Sequence, residues 1–225
     1  MKLVKIVAGL LAAGLMAGTA HADPLFSEGF DSVAGLGSSG WIFTNASAPV
    51  GQSWFQGNTG IFEAQAGGAD SYVAANFNST TALEGAVDNW LISPELTLGA
   101  ASVLTFYTQA SDAGFLDQLE IRFSSGASSS VASFTTLLGT VGSATVASYP
   151  VGSWVAVTLT LPTAVTGRFA FHYTVPNALD ASYIGIDSVT VSAVPEPSTM
   201  LMLGLGLAAV GVAGRRRAVS ANPST

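Results

Sequence analysis

No cysteine occurs in the 225-residue chain, so disulfide staples, thiolate metal sites and thiol nucleophiles are excluded together. Histidine is nearly as scarce, with His21 and His172 alone. A single imidazole beyond the first 22 residues excludes multi-histidine zinc sites. Lysine is confined to Lys2 and Lys5. Between residues 23 and 193, thirteen carboxylates stand against Arg122 and Arg168, a net charge of −11. A surface so acidic repels nucleic acid and anionic lipid, which excludes both as partners. It keeps a domain soluble by self-repulsion or recruits Ca²⁺.

Helical periodicity is nearly absent from residues 23–193, which are rich in Gly, Ser, Thr, Val and aromatics. Short alternating runs separated by turn residues take its place. In the run 154–161, Val155, Val157, Leu159 and Leu161 share one face, with Ala156, Thr158 and Thr160 on the other. That is the two-residue period of a half-buried strand. Phe169, Phe171, Tyr173 and Val175 repeat the pattern, with Arg168, Ala170, His172 and Thr174 facing away. Further strands are predicted over 25–30, 41–45, 72–76, 89–92, 95–98, 102–109, 118–124, 134–140 and 183–192. The fold class is all-β: one antiparallel jelly-roll β-sandwich over 23–193. Some 170 residues are enough for one sizeable core.

Both ends of the chain differ from this body. Lys2 and Lys5 precede an apolar run, and Ala20-His21-Ala22 supplies a small-x-small cleavage site, which makes residues 1–22 a signal peptide cut by signal peptidase. At the other end, the charge-free stretch 198–214 is closed by Arg215, Arg216 and Arg217. Seventeen residues at about 1.5 Å each span roughly 25 Å, just under the ~30 Å hydrocarbon core, so a short transmembrane helix with a cytoplasmic basic flank is expected. Pro195, Glu196 and Pro197 stand before it and residues 218–225 form a short polar tail. The sandwich is thus flanked by a signal helix and a transmembrane helix.

Pro-Glu-Pro, short hydrophobic helix and arginine cluster, in that order over 194–217, resemble the PEP-CTERM sorting signal of Gram-negative bacteria. The resemblance implies transient anchoring in the inner membrane, recognition and removal of the tail by an exosortase, and delivery to the cell surface or extracellular matrix. In the body, Phe26-Ser27-Glu28-Gly29-Phe30, Gly40-Trp41, Asp88-Asn89-Trp90-Leu91-Ile92-Ser93-Pro94-Glu95-Leu96, Leu104-Thr105-Phe106 and Ile184-Gly185-Ile186-Asp187-Ser188-Val189 resemble the choice-of-anchor J domain, related to cleaved-adhesin and MAM-type jelly rolls. Where that family often carries an aspartate-rich segment, this chain reads Gly51-Gln52-Ser53-Trp54. The resemblance implies a structural Ca²⁺ held by Glu28 and Asp187, with Asp31 and Asp88 as weaker ligands.

Read from the residues alone, Asp187 sits in an apolar strand with the parity of Val189 and Val191. A carboxylate pointing inward there must be metal-bound, paired, or satisfied by backbone amides or a tryptophan N–H. No Gly-x-Ser-x-Gly elbow accompanies His172, which reads as a solvated strand histidine, and no residue is assigned a catalytic role. Trp41 and Trp90 read as core. Trp54 and Phe55 are adjacent strand residues pointing to opposite faces, so one of them is a candidate ligand contact. The expected function is an adhesin-like or structural binding module associated with exopolysaccharide or biofilm. The alternatives are a carbohydrate-binding module or a carbohydrate-active hydrolase on the same sandwich, the latter drawing on Glu28, Glu63, Glu84, Glu95 or Glu120.

Overall fold

The computed structural model describes residues 24–99, 101–194 and Gly204. The expected signal peptide, the Pro-Glu-Pro motif, the span over 198–214, the arginines and the tail 218–225 lie outside the described residues. Among the described residues no helix is long and apolar enough to cross a membrane.

Twelve strands run in order: β1 (Phe26–Glu28), β2 (Ile42–Asn45), β3 (Phe55–Gln56), β4 (Val73–Asn76), β5 (Val87–Ile92), β6 (Leu96–Leu98), β7 (Ser102–Ala110), β8 (Gln118–Ser125), β9 (Thr136–Gly142), β10 (Val155–Leu161), β11 (Val165–Val175) and β12 (Tyr183–Ala193). They form two six-stranded antiparallel sheets, a jelly-roll β-sandwich. The first has the order β10-β7-β12-β4-β3, and the second β2-β5-β11-β8-β9. β4 and β1 share one side of β12, β4 along Tyr183 to Ile186 and β1 along Val189 to Val191. Likewise β5 and β6 share one side of β11.

Alternation positions the core as expected. Phe169, Phe171, Tyr173 and Val175 are fully buried; Phe171 meets Phe106 of the facing sheet edge-on at 4.9 Å and Phe169 at 5.5 Å. Each such ring contributes roughly 1.5–3 kcal/mol through burial alone. Trp41 closes one end of this core against Phe26, Phe30 and Phe169.

Two clusters lie outside the sandwich interior. On the outer face of the first sheet, Tyr72, Ala74 and Tyr183 are covered by Phe55, Phe62 and Trp154. On the outer face of the second, Trp90, Ile92 and Ala170 lie beneath Phe134, so Trp90 is buried but not between the sheets. Single-strand alternation does not show such loop cover, which buries residues assigned to the solvent side.

Along β12 the inward parity changes. Ile184 and Ile186 face the core, and so do Val189 and Val191, because the pairing with β7 slips between Asp187 and Thr190 and Ser188 takes φ 52°. This bulge reassigns Asp187. It shares a face with Tyr183 and Gly185 and is buried beneath the loop 57–71, not among the core side chains as its parity with Val189 suggested.

Candidate functional site

Of the residues singled out by sequence, Glu28, Asp31 and Asp187 come to one region. Glu28 lies opposite Val189, two positions from Asp187, and Asp31 bonds Ser71 at 2.7 Å in the loop that covers Asp187. Each carboxylate is met by donors. Glu28 accepts the Phe30 amide at 2.9 Å and the Trp41 indole N–H at 3.3 Å. Asp187 accepts the amides of Gln65 at 2.8 Å and Ala66 at 3.1 Å on one oxygen, and that of Ser188 at 2.5 Å on the other. Burial pushes the Asp187 carboxyl above its usual range, against these amides. Among the described residues no three His, Asp or Glu side chains gather as a metal-binding group. A Ca²⁺ held by Glu28 and Asp187 would share the Asp187 oxygens with the Gln65, Ala66 and Ser188 amides. These amide bonds are a clasp that ties the loop 57–71 to the β12 bulge.

Asp88, the fourth calcium candidate, belongs to the other sheet. It accepts a bond from the Trp90 indole at 2.5 Å and pairs with His172 Nε2 at 2.9 Å. Glu120 holds the other imidazole nitrogen at 3.1 Å and Arg122 at 2.6 Å. Trp90 stacks flat on His172 at 3.8 Å and 12°, so the imidazole is half-buried and doubly paired, not solvated. The His172 hydrogen bond holds the Asp88 carboxyl below its ordinary value, with the Trp90 N–H assisting against burial. At Glu120 burial pushes upward, but Arg122 and His172 outweigh it and the carboxyl lies low. Groups depressed in the folded state bind fewer protons there, so their contribution is present above about pH 4 and is lost as pH falls through their folded values. Urea unfolding from pH 7 to 3 should therefore show His172→Gln weaker than the native chain at neutral pH and converging with it below about pH 4.

The structure does not support Trp54 and Phe55 as a ligand platform. Trp54 is buried against Tyr173, and half-buried Phe55 packs edge-on against Tyr183 as part of the cover on the outer face. The opposite-face geometry held, with Trp54 in the core and Phe55 half-buried on the outer face.

A concave site does exist, at the end of the sandwich where β4 and β7 finish and β12 begins. Asn76 and Asn177 each cap a short 3-10 turn by accepting the amide two residues on, at 2.9 Å in both cases. These Asx caps make the chain reverse tightly, and each turn lifts an apolar side chain into solvent, Phe77 at 48% and Leu179 at 55% exposure. With Val50, Ile61, Leu83 and Phe115 they line a groove of about 990 Å³. Its floor carries Asn76, Asn78 and Tyr183, and its one charged wall residue is Asp112. The Val50 wall is tied down by Gly51 N–H to the Ser79 carbonyl at 2.9 Å and Gln52 N–H to that of Asn78 at 2.7 Å. A Cβ on Gly51 would fall 2.2 Å from the Asn78 carbonyl, so only glycine fits.

Beneath the groove lies Asp117, 1% exposed. It accepts the Tyr173 hydroxyl at 2.5 Å, the Ser182 amide at 2.9 Å and the Ser182 hydroxyl at 2.8 Å. Sequence reading missed this residue, since nothing near it marks a buried acid.

Comparison with known proteins bears on both the tail and the sandwich. Residues 193–217 match the PEP-CTERM protein-sorting motif. The K1 cleaved adhesin domain of Lys-gingipain from Porphyromonas gingivalis W83 superposes with a TM-score of 0.54 at 23% identity, over 75% of this chain and 98% of that one. The K3 domain of the same protein gives 0.54 at 19% identity, over 77% and 100%. At such identities the likeness is one of fold. Among curated protein sequences none matches the chain.

Proposed function

We propose that this chain, an exported protein sorted to the cell surface by its PEP-CTERM motif, is a non-catalytic binding module that holds neutral exopolysaccharide in its apolar groove. The observation that carries this reading is where the groove lies relative to the tail. β12 starts at the groove with Tyr183 and ends at Ala193, where the sorting motif begins. Its eleven residues cover roughly 30 Å. A chain tethered or released at the motif therefore carries the groove at its far end, directed outward.

The lining suits an uncharged polymer of sugars. Phe77, Leu179 and Ile61 offer apolar surface to the C–H faces of pyranose rings, while the Asn76, Asn78 and Gln52 amides reach their hydroxyls. The net charge of −11 disfavours an anionic polymer. Support for a non-catalytic role comes from His172, whose two ring nitrogens are both held by carboxylates, leaving none to take a proton from a nucleophile.

Co-sedimentation with the producer's own matrix polysaccharide tests this. The native chain is expected to be retained, and Phe77→Ser with Leu179→Ser to bind at least tenfold more weakly, about 1.4 kcal/mol. Equal retention of native chain and variant would remove the groove from the function.

A further inference from the structure

We infer that the flank of the sandwich formed by β9 and β10 is a self-association surface, on which a second copy of this chain pairs antiparallel along β10. The two strands are the terminal strands of the two sheets, and they lie side by side, since a Cβ on Gly139 of β9 would fall 2.7 Å from Leu159 of β10.

Residues 123–167, which include both strands, contain no Asp, Glu, Lys, Arg or His. In a domain of net charge −11 this is a wholly uncharged side.

An exposed strand edge is a template for another chain, and proteins ordinarily blunt it with charge, proline, a bulge or brevity. The other edges here follow that rule. β3 has two residues, β1 and β6 three each, and β2 four. β9 is interrupted by a register shift against β8. β10 has none of these devices. It pairs with β7 in unbroken register from Val155 to Leu161, its seven residues hold no charge or proline, and Val155 is 41% exposed.

A second copy is the occupant that this edge favours. An antiparallel strand pair about a twofold axis needs no partner other than itself. With Thr158 opposite Thr158, the alternation of Val and Leu inward with Ala and Thr outward continues across the join, so both cores stay on one side. Along this edge a second copy brings no like charges together. Exposed Leu137 and Val146 lie in the same uncharged stretch.

Because the chain has no cysteine, single introduced cysteines report contacts without background. Thr158→Cys, made in the full chain and expressed in an exporting host with mild oxidant added, is expected to give a disulfide-linked homodimer. Its yield should exceed by at least tenfold that of Thr97→Cys, an exposed position on β6 of the other sheet. Peptide mapping should recover the 158–158 link. A dimer yield no greater than the Thr97→Cys control would overturn the inference, as would a linked species containing a different protein.

Discussion

Asp117→Ala is expected to lose about 3 kcal/mol or more of folding stability, measured by urea unfolding at pH 7. The side chain is fully enclosed and accepts three hydrogen bonds. Its removal strands the Tyr173 hydroxyl and the Ser182 amide away from water, and each stranded donor costs about 1–3 kcal/mol. Asp117→Asn keeps the shape and can still accept from Tyr173 and from the Ser182 amide, so it should cost far less. The two variants also differ from the native chain in their pH response. Burial, opposed by the Tyr173 and Ser182 bonds, holds the Asp117 carboxyl above its ordinary value. A group raised in the folded state binds more protons there, so its contribution is full below the unfolded value of about 4 and is lost as pH rises through the folded value. The asparagine variant should therefore compare best with the native chain at neutral pH and worst in acid, the reverse of the His172 trend. Since Ser182 lines the groove, polysaccharide retention should fall with Asp117→Ala as well.

Phe171→Ala is expected to cost about 3–5 kcal/mol, the range for emptying a buried ring site in a close-packed core. The ring touches Phe106 across the sandwich and Phe169 along its own strand, so the sheets cannot close the void without moving both partners. Against a typical total of about 5–15 kcal/mol, such a loss brings the domain close to unfolding at 37 °C. Phe171→Leu should cost clearly less, because much of the volume is kept. Thermal melts of the two variants side by side measure the difference.

Alternation made much of the scaffold legible. In β10 and β11 each strand buries one face between the sheets, and the apolar residues mark that face directly. β3 has no predicted range, although Trp54 and Phe55 read as strand residues, because two residues carry no period. The bulge in β12 left no trace either. Its turn rests on Ser188 at φ 52°, a conformation for which serine gives no cue, and so Asp187 was assigned to the wrong side of its sheet. His172 was misread for a related reason. Outer-face residues are ordinarily solvated, but the segment bearing Phe134 folds over them, and a cover from distant sequence is invisible to local pattern. The groove was illegible because its walls come from five stretches, around Val50, Ile61, Phe77, Asp112 and Leu179, joined only by the fold. By contrast, the sorting motif is a contiguous string of unlike chemistries, and contiguous strings are what sequence reading resolves best.

Export and processing at the C-terminal motif underlie the outward placement of the groove, and mass spectrometry of the C-terminus of protein recovered from the cell surface or medium tests them most directly. The expected result is a chain ending near Pro195–Pro197 that lacks the apolar stretch 198–214. Recovery of surface protein still ending at Thr225 would contradict it.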